Sequence, residues 1–165
     1  FYLNENQTMK SSLAAIPNMI AEIKYKDKSR GIATSGWRGK SFSRGIADSV
    51  TVLADNAAMA DAAATMIGNA VDIYNHPKIK KQPANEMYED SDLKNLLITV
   101  EVGLLTKVEI KEALKNGYQT ALQYINKDLI NTALIQLSEY FCIVQKNSTD
   151  LNIVNKSNLK EITYN

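Results

Sequence analysis

At 165 residues the chain has the length of one ordinary domain, enough to bury most of its unfolded surface without disulfide or metal staples. A formal charge of +1 supplies no general pull toward nucleic acid or an anionic membrane, and the single cysteine, Cys142, excludes an internal disulfide. No run approaches the roughly 20 apolar residues of a membrane span, because Asp55 and Asp61 interrupt the most apolar region, so the expected setting is a reducing cytoplasm with no membrane and no nucleic-acid partner.

The chain opens on Phe1 and not on Met, which reads as a processed or truncated start to one domain over residues 1–146, followed by a tail over residues 147–165. Within residues 11–26, Leu13, Ile16, Ile20 and Ile23 recur at three- to four-residue intervals and predict an amphipathic helix entered or kinked near Pro17. Residues 31–36, Gly-Ile-Ala-Thr-Ser-Gly, suggest a strand running into a tight turn. A loop rich in Gly, Ser and Arg follows, and then residues 49–54 alternate as a β-branched strand. Asp55 or Asn56 can cap the Ala-rich stretch 57–71, which predicts a helix.

Residues 75–92 carry two prolines, a basic run and an acidic run with little apolar periodicity, and are expected to form a long exposed loop. Residues 97–102 predict a strand with Ile98, Val100 and Val102 on one face and Thr99 and Glu101 on the other. Thr106 and Glu109 form a capping-box signature, with Leu105 and Ile110 placed as a hydrophobic staple, at the head of a helix whose apolar face continues to about Lys127. Residues 132–137 and 140–144 read as a hairpin across Ser138 and Glu139, and residues 151–154 and 159–163 as short edge strands. These elements predict an α+β fold, an antiparallel sheet covered by the Ala-rich helix and the Thr106 helix. Closure of its free face or edge by a second copy makes a homo-oligomer the expected state.

Asp61 and Thr65, four residues apart inside the Ala-rich helix, share one helix face. A carboxylate and a hydroxyl are oxygen ligands that suit Mg²⁺, an ion commonly held by few protein groups together with substrate phosphates. The plainer reading is a solvated Asp61 and a packing Thr65. Beyond Thr34, Ser35 and Gly36, the residues Arg38, Lys40 and Arg44 interleave with Gly39, Gly45, Ser41 and Ser43. Such a loop can surround a phosphate or carboxylate with guanidinium groups, hydroxyls and amides, and it is equally an ordinary polar hairpin loop. Asp48 either adds a carboxylate to that site, or caps or pairs with Arg44. Trp37 reads as a stacking surface or a core anchor, His76 as an exposed loop residue, Lys78, Lys80 and Lys81 as a solvated run, and Cys142 as inert core.

Taken in order, G-x-A-T-S-G at residues 31–36, S-V-T-V at 49–52 and A-D-A-x-x-T at 60–65 resemble the C-terminal half of ApbE-like proteins, which include the FAD:protein FMN transferases. Gly45-Ile46-Ala47-Asp48, the run from Asp61 to Thr65 and Gly68-Asn69-Ala70 are similar to an uncharacterised branch of that superfamily found in methanogens and some bacteria. The resemblance reaches through Thr99 to Gly103, the helix after Thr106 and Ala133 to Gln136. It implies an ApbE-like, T-fold-like sheet, and it implies that Asp61 and Thr65 hold Mg²⁺ against the pyrophosphate of FAD. The transferases' H-x-x-D-P-x-T-G segment has no counterpart here, where residues 37–48 fill the interval. The expected function is Mg-dependent binding or transfer chemistry on a flavin- or nucleotide-like phosphorylated ligand, FAD or FMN included. The alternative is a non-catalytic structural or interaction module that has lost the flavin site.

Overall fold

The structure, a computed structural model, describes residues 23–39, 41–146 and 151–155. In chain order these form β1 (Gly31–Ser35), β2 (Ser49–Ala54), α1 (Ala57–Ala70), β3 (Ile79–Pro83), α2 (Ala84–Met87), β4 (Leu97–Val102), α3 (Lys107–Asn126), β5 (Thr132–Leu137), β6 (Tyr140–Gln145) and β7 (Val154–Asn155). The fold is α+β: a five-stranded sheet of order β1-β2-β5-β6-β7 with every neighbouring pair antiparallel, and a separate two-stranded sheet of β3 and β4.

Strand register explains where the core sits. Ala33 lies opposite Val52, Val52 opposite Ala133, and Ala133 opposite Val144, so one side of the pleat is a continuous apolar row in which Val52, Ala133 and Val144 are fully buried. Both long helices lie on that side, α1 over β1 and β2, and α3 over β5 and β6, and they also touch each other.

The helix α1 presents Ala60, Ala63, Ala64, Ile67 and Gly68 to the sheet, a face mostly of small residues that brings the helix axis close to the strands. Asn56, not Asp55, caps it: the Asn56 side chain accepts from the Met59 N–H at 2.9 Å. Asp55 instead accepts from Asn131 Nδ2 at 3.0 Å and pairs with Lys28 at 3.3 Å. At the head of α3 both halves of the capping box are present, and Leu105 and Ile110 join the core as the staple requires. Ala113, Leu114, Tyr118, Ala121 and Ile125 continue the buried face.

Four expectations need correction or restriction. Residues 75–92 are not one exposed loop, since β3 and α2 lie inside them. The strand β3 escaped periodicity because it lies in the separate two-stranded sheet, and its pairing with β4 shifts register between Lys80 and Lys81. Its order comes from backbone pairing and from cross-strand contacts such as Lys80 with Glu101 at 2.6 Å. Thr99 is 7% exposed, not on an open face, because the loop before β2 covers it and the Ser43 carbonyl accepts its N–H at 2.8 Å. Most of the helix expected over residues 11–26 lies outside the described residues; residues 23–26 are not helical, and the Arg30 guanidinium donates there to the carbonyls of Tyr25 and Asp27. Among the described residues of the tail, Val154 and Asn155 form β7, paired with Phe141 and Tyr140, while residues 159–163 lie outside the described residues.

Candidate functional site

The outward side of α1 carries the candidate residues. Asp61 and Thr65 are both exposed there, and among the described residues neither side chain has a hydrogen bond or ion pair. Asn69 continues the same stripe one turn further. With a rise of about 1.5 Å per residue, the three side chains are spaced about 6 Å apart along some 12 Å of helix.

Asn69 fixes the loop that precedes β2. Its Oδ1 accepts from the Arg44 N–H at 2.9 Å and from the Ser43 hydroxyl at 3.4 Å, and that hydroxyl in turn accepts from the Gly45 N–H at 3.2 Å. Gly45 is required because a Cβ there would collide with the Gly68 carbonyl, so any side chain would lift the loop off the helix end. The Lys81 ammonium closes the same corner by donating to the Arg44 carbonyl at 2.6 Å and to the Asp72 carboxylate. The exposed Arg44 guanidinium has no partner among the described residues and issues from a backbone anchored at Asn69.

The loop residues expected to form one anion site are thereby divided. Ser35 is half-buried beneath α1, its Oγ 3.7 Å from where a Cβ on Gly68 would stand. Thr34 points to the other face of the sheet, where its hydroxyl meets that of Thr51 at 2.8 Å. Gly36 is pressed against the backbone of Asp48. Arg38 and Asp48 pair with each other at 2.9 Å, Trp37 Nε1 donates to the same carboxylate oxygen at 3.3 Å, and the Arg38 guanidinium lies 4.8 Å above the Trp37 ring. The other Asp48 oxygen accepts the Ser138 N–H at 2.6 Å, so Asp48 ties the loop to the β5–β6 turn, and its ion-pair partner is Arg38 in place of Arg44. Lys40 lies outside the described residues. Thus Ser43 and Arg44 gather at the C-terminal end of α1, with Ser35 packed below, whereas Thr34, Arg38 and Asp48 are engaged elsewhere.

Of the basic run, Lys78 and Lys80 are exposed as expected, whereas Lys81 and the histidine depart from expectation. Lys81 is tucked against Asp72, and the His76 side chain, only 12% exposed, lies 2.9 Å from Glu109, which Lys78 approaches at 3.4 Å. The Thr106 N–H, helped by His76 and Lys78 and partly offset by burial, pulls the Glu109 carboxyl down to about 2. Burial lifts the Cys142 thiol to about 12 in the middle of β6, in keeping with inert core.

For Mg²⁺, Asp61 and Thr65 offer one carboxylate and one hydroxyl on an open helix face, and no group of three acidic, His or Cys side chains among the described residues could enclose an ion. An ion that prefers six oxygens and keeps several waters fits this pair only when phosphate oxygens and water complete its shell. The donor set therefore fits a cation that arrives with a phosphorylated ligand, and it does not form a closed protein cage. Asn69 is the site residue that side-chain chemistry alone did not single out, although its place four residues after Thr65 was a readable signal.

Comparison with known proteins gives a family and no closer relative. The model of the family described as AbpE bacteria matches residues 1–151, and the chain belongs to that family. No curated protein and no solved structure matches the chain.

Proposed function

We propose that this family member uses the outward side of α1 to bind a flavin- or nucleotide-like phosphorylated ligand together with Mg²⁺. The observation that carries the reading is the line of Asp61, Thr65 and Asn69, with the first two side chains unengaged among the described residues and the Arg44 loop docked on the third. Asp61 and Thr65 would face the cation, while the Arg44 guanidinium would face the phosphate oxygens that share it. A bound Mg²⁺ would neutralise charge on the phosphates. The chain's own residues orient the ligand along the helix. The likeness of residues 31–36, 49–52 and 60–65 to ApbE-like proteins supports the same ligand class, FAD and FMN included. Transfer chemistry is not part of the proposal, because no side chain here stands for the transferases' histidine segment.

A thermal-shift panel of FAD, FMN and nucleoside diphosphates, with and without Mg²⁺, tests the reading. The expected result is a shift that needs both ligand and cation and disappears in Asp61→Ala, whose exposed side chain leaves folding intact. A shift unchanged in Asp61→Ala would overturn it. The second reading, a non-catalytic interaction module, is favoured by one observation: Trp37, Arg38 and Asp48 satisfy one another and leave no anion cradle in that part of the loop. Absence of any shift under every metal would leave that reading standing.

A further inference from the structure

The sheet of β3 and β4 forms an arm that carries α2 at its tip. Its base is fixed to the head of α3, where His76 and Lys78 meet Glu109 and the Gly103 N–H donates to the Lys78 carbonyl at 2.8 Å. Its middle is fixed by Thr99 on Ser43 and by Lys81 on Asp72. At the tip, the Tyr88 ring lies 5.5 Å from that of Phe42.

The tip nevertheless leaves a contiguous apolar surface in solvent. Met87, Tyr88, Leu96 and Leu97 are 49%, 65%, 45% and 51% exposed, and they are neighbours because the Ala84 N–H donates to the Leu96 carbonyl and Pro83 pairs with Leu97. Isolated exposed leucines need no explanation, but a cluster of four large apolar side chains marks a contact site. Four carboxylates, Glu86, Glu89, Asp90 and Asp92, lie in the same segment of chain against a single Lys94, and all four are exposed, so the tip is acidic.

The same chain carries a complementary surface. Between α3 and residues 151–153 runs an open groove of about 580 Å³ lined by Val108, Lys111, Glu112, Lys115, Leu151 and Ile153, among others. Val108 is 75% exposed, and Leu104, in the chain leading into α3, is 94% exposed. Lys107, Lys111 and Lys115 recur at four-residue spacing and form a lysine edge, and none of the three has an ion pair among the described residues. An apolar floor with a basic edge fits an apolar, acidic tip. The tip cannot reach this groove on its own chain, because the arm is pinned at base, middle and end.

We propose that the arm tip of one copy docks in the α3 groove of a second copy. The contact is heterologous, so a docked pair keeps one free tip and one free groove, and the assembly grows head to tail or closes as a ring. This goes beyond the ligand reading and does not depend on it.

The test uses the full chain by analytical ultracentrifugation across a concentration series, with Leu97→Glu at the tip and Lys111→Glu/Lys115→Glu in the groove. Wild type is expected to associate, more weakly in 0.5 M than in 0.05 M NaCl, by about tenfold or more. Each variant alone is expected to be monomeric with an unchanged melting temperature. Their mixture is expected to give a one-to-one dimer and nothing larger, because only one intact tip and one intact groove remain to meet. Should a charge at Leu97 impair folding, Met87→Gln/Leu97→Gln replaces that arm of the test. A wild type that stays monomeric at every concentration overturns the proposal. So does association that survives either variant, or a mixture of folded variants that fails to form the dimer.

Discussion

Gly117 in α3 and Val71 at the end of α1 provide the most quantitative test of how the two helices are packed. A Cβ added at Gly117 would sit well inside contact distance of a Val71 methyl, while the nearest Ile135 atoms, at 3.5 and 3.6 Å, leave ordinary van der Waals contact. Replacing a mid-helix glycine by alanine gains about 1 kcal/mol of helix stability where nothing obstructs it. Here Val71 is fully buried and its β-branched side chain is stiff about χ1, so the obstruction stays, at a cost of about 1–3 kcal/mol. Gly117→Ala is therefore expected to destabilise by about 1 kcal/mol. Val71→Ala alone should cost about 2–3 kcal/mol through its lost methyls. In that background the obstruction is gone, and Gly117→Ala should stabilise by about 1 kcal/mol, a coupling of about 2 kcal/mol across the cycle. Urea unfolding followed by circular dichroism reads this directly, since 1 kcal/mol moves the midpoint by about 0.5 M at a slope of about 2 kcal/mol/M. A Gly117→Ala effect of the same sign in both backgrounds would refute the packing argument.

Two further outcomes follow from the titratable groups. The Glu109 carboxyl is held near 2, below its usual 4.5, so its contribution to stability is fully present above pH 4.5 and is lost as the pH falls toward 2. The urea midpoint of wild type should accordingly fall more between pH 5 and pH 2.5 than that of Glu109→Gln, and equal falls would remove this carboxylate as the cause. Cys142 should resist Ellman's reagent at pH 8 in the folded protein and react once urea unfolds it, because burial keeps the thiol protonated and covered; rapid labelling of the native chain would contradict the placement of β6.

Elements that bury one face against the core were legible in the amino-acid order. The strands β2 and β5, the helix α1 and the capped helix α3 announce themselves through alternation, helical spacing and capping chemistry, because burial of one side imposes a period on the residues that face it. The stripe of Asp61 and Thr65 was legible for the same reason, being a matter of spacing on one helix. What no period encodes is which loop lands on which element. The strand β3 exists because β4 pairs with it, Asp48 is spent on Arg38 and Ser138, and Asn69 fixes the Arg44 loop. Those outcomes depend on residues up to 90 positions apart in sequence. Local propensity reports only on near neighbours, so the division of the loop into engaged and available groups was decided by tertiary packing alone.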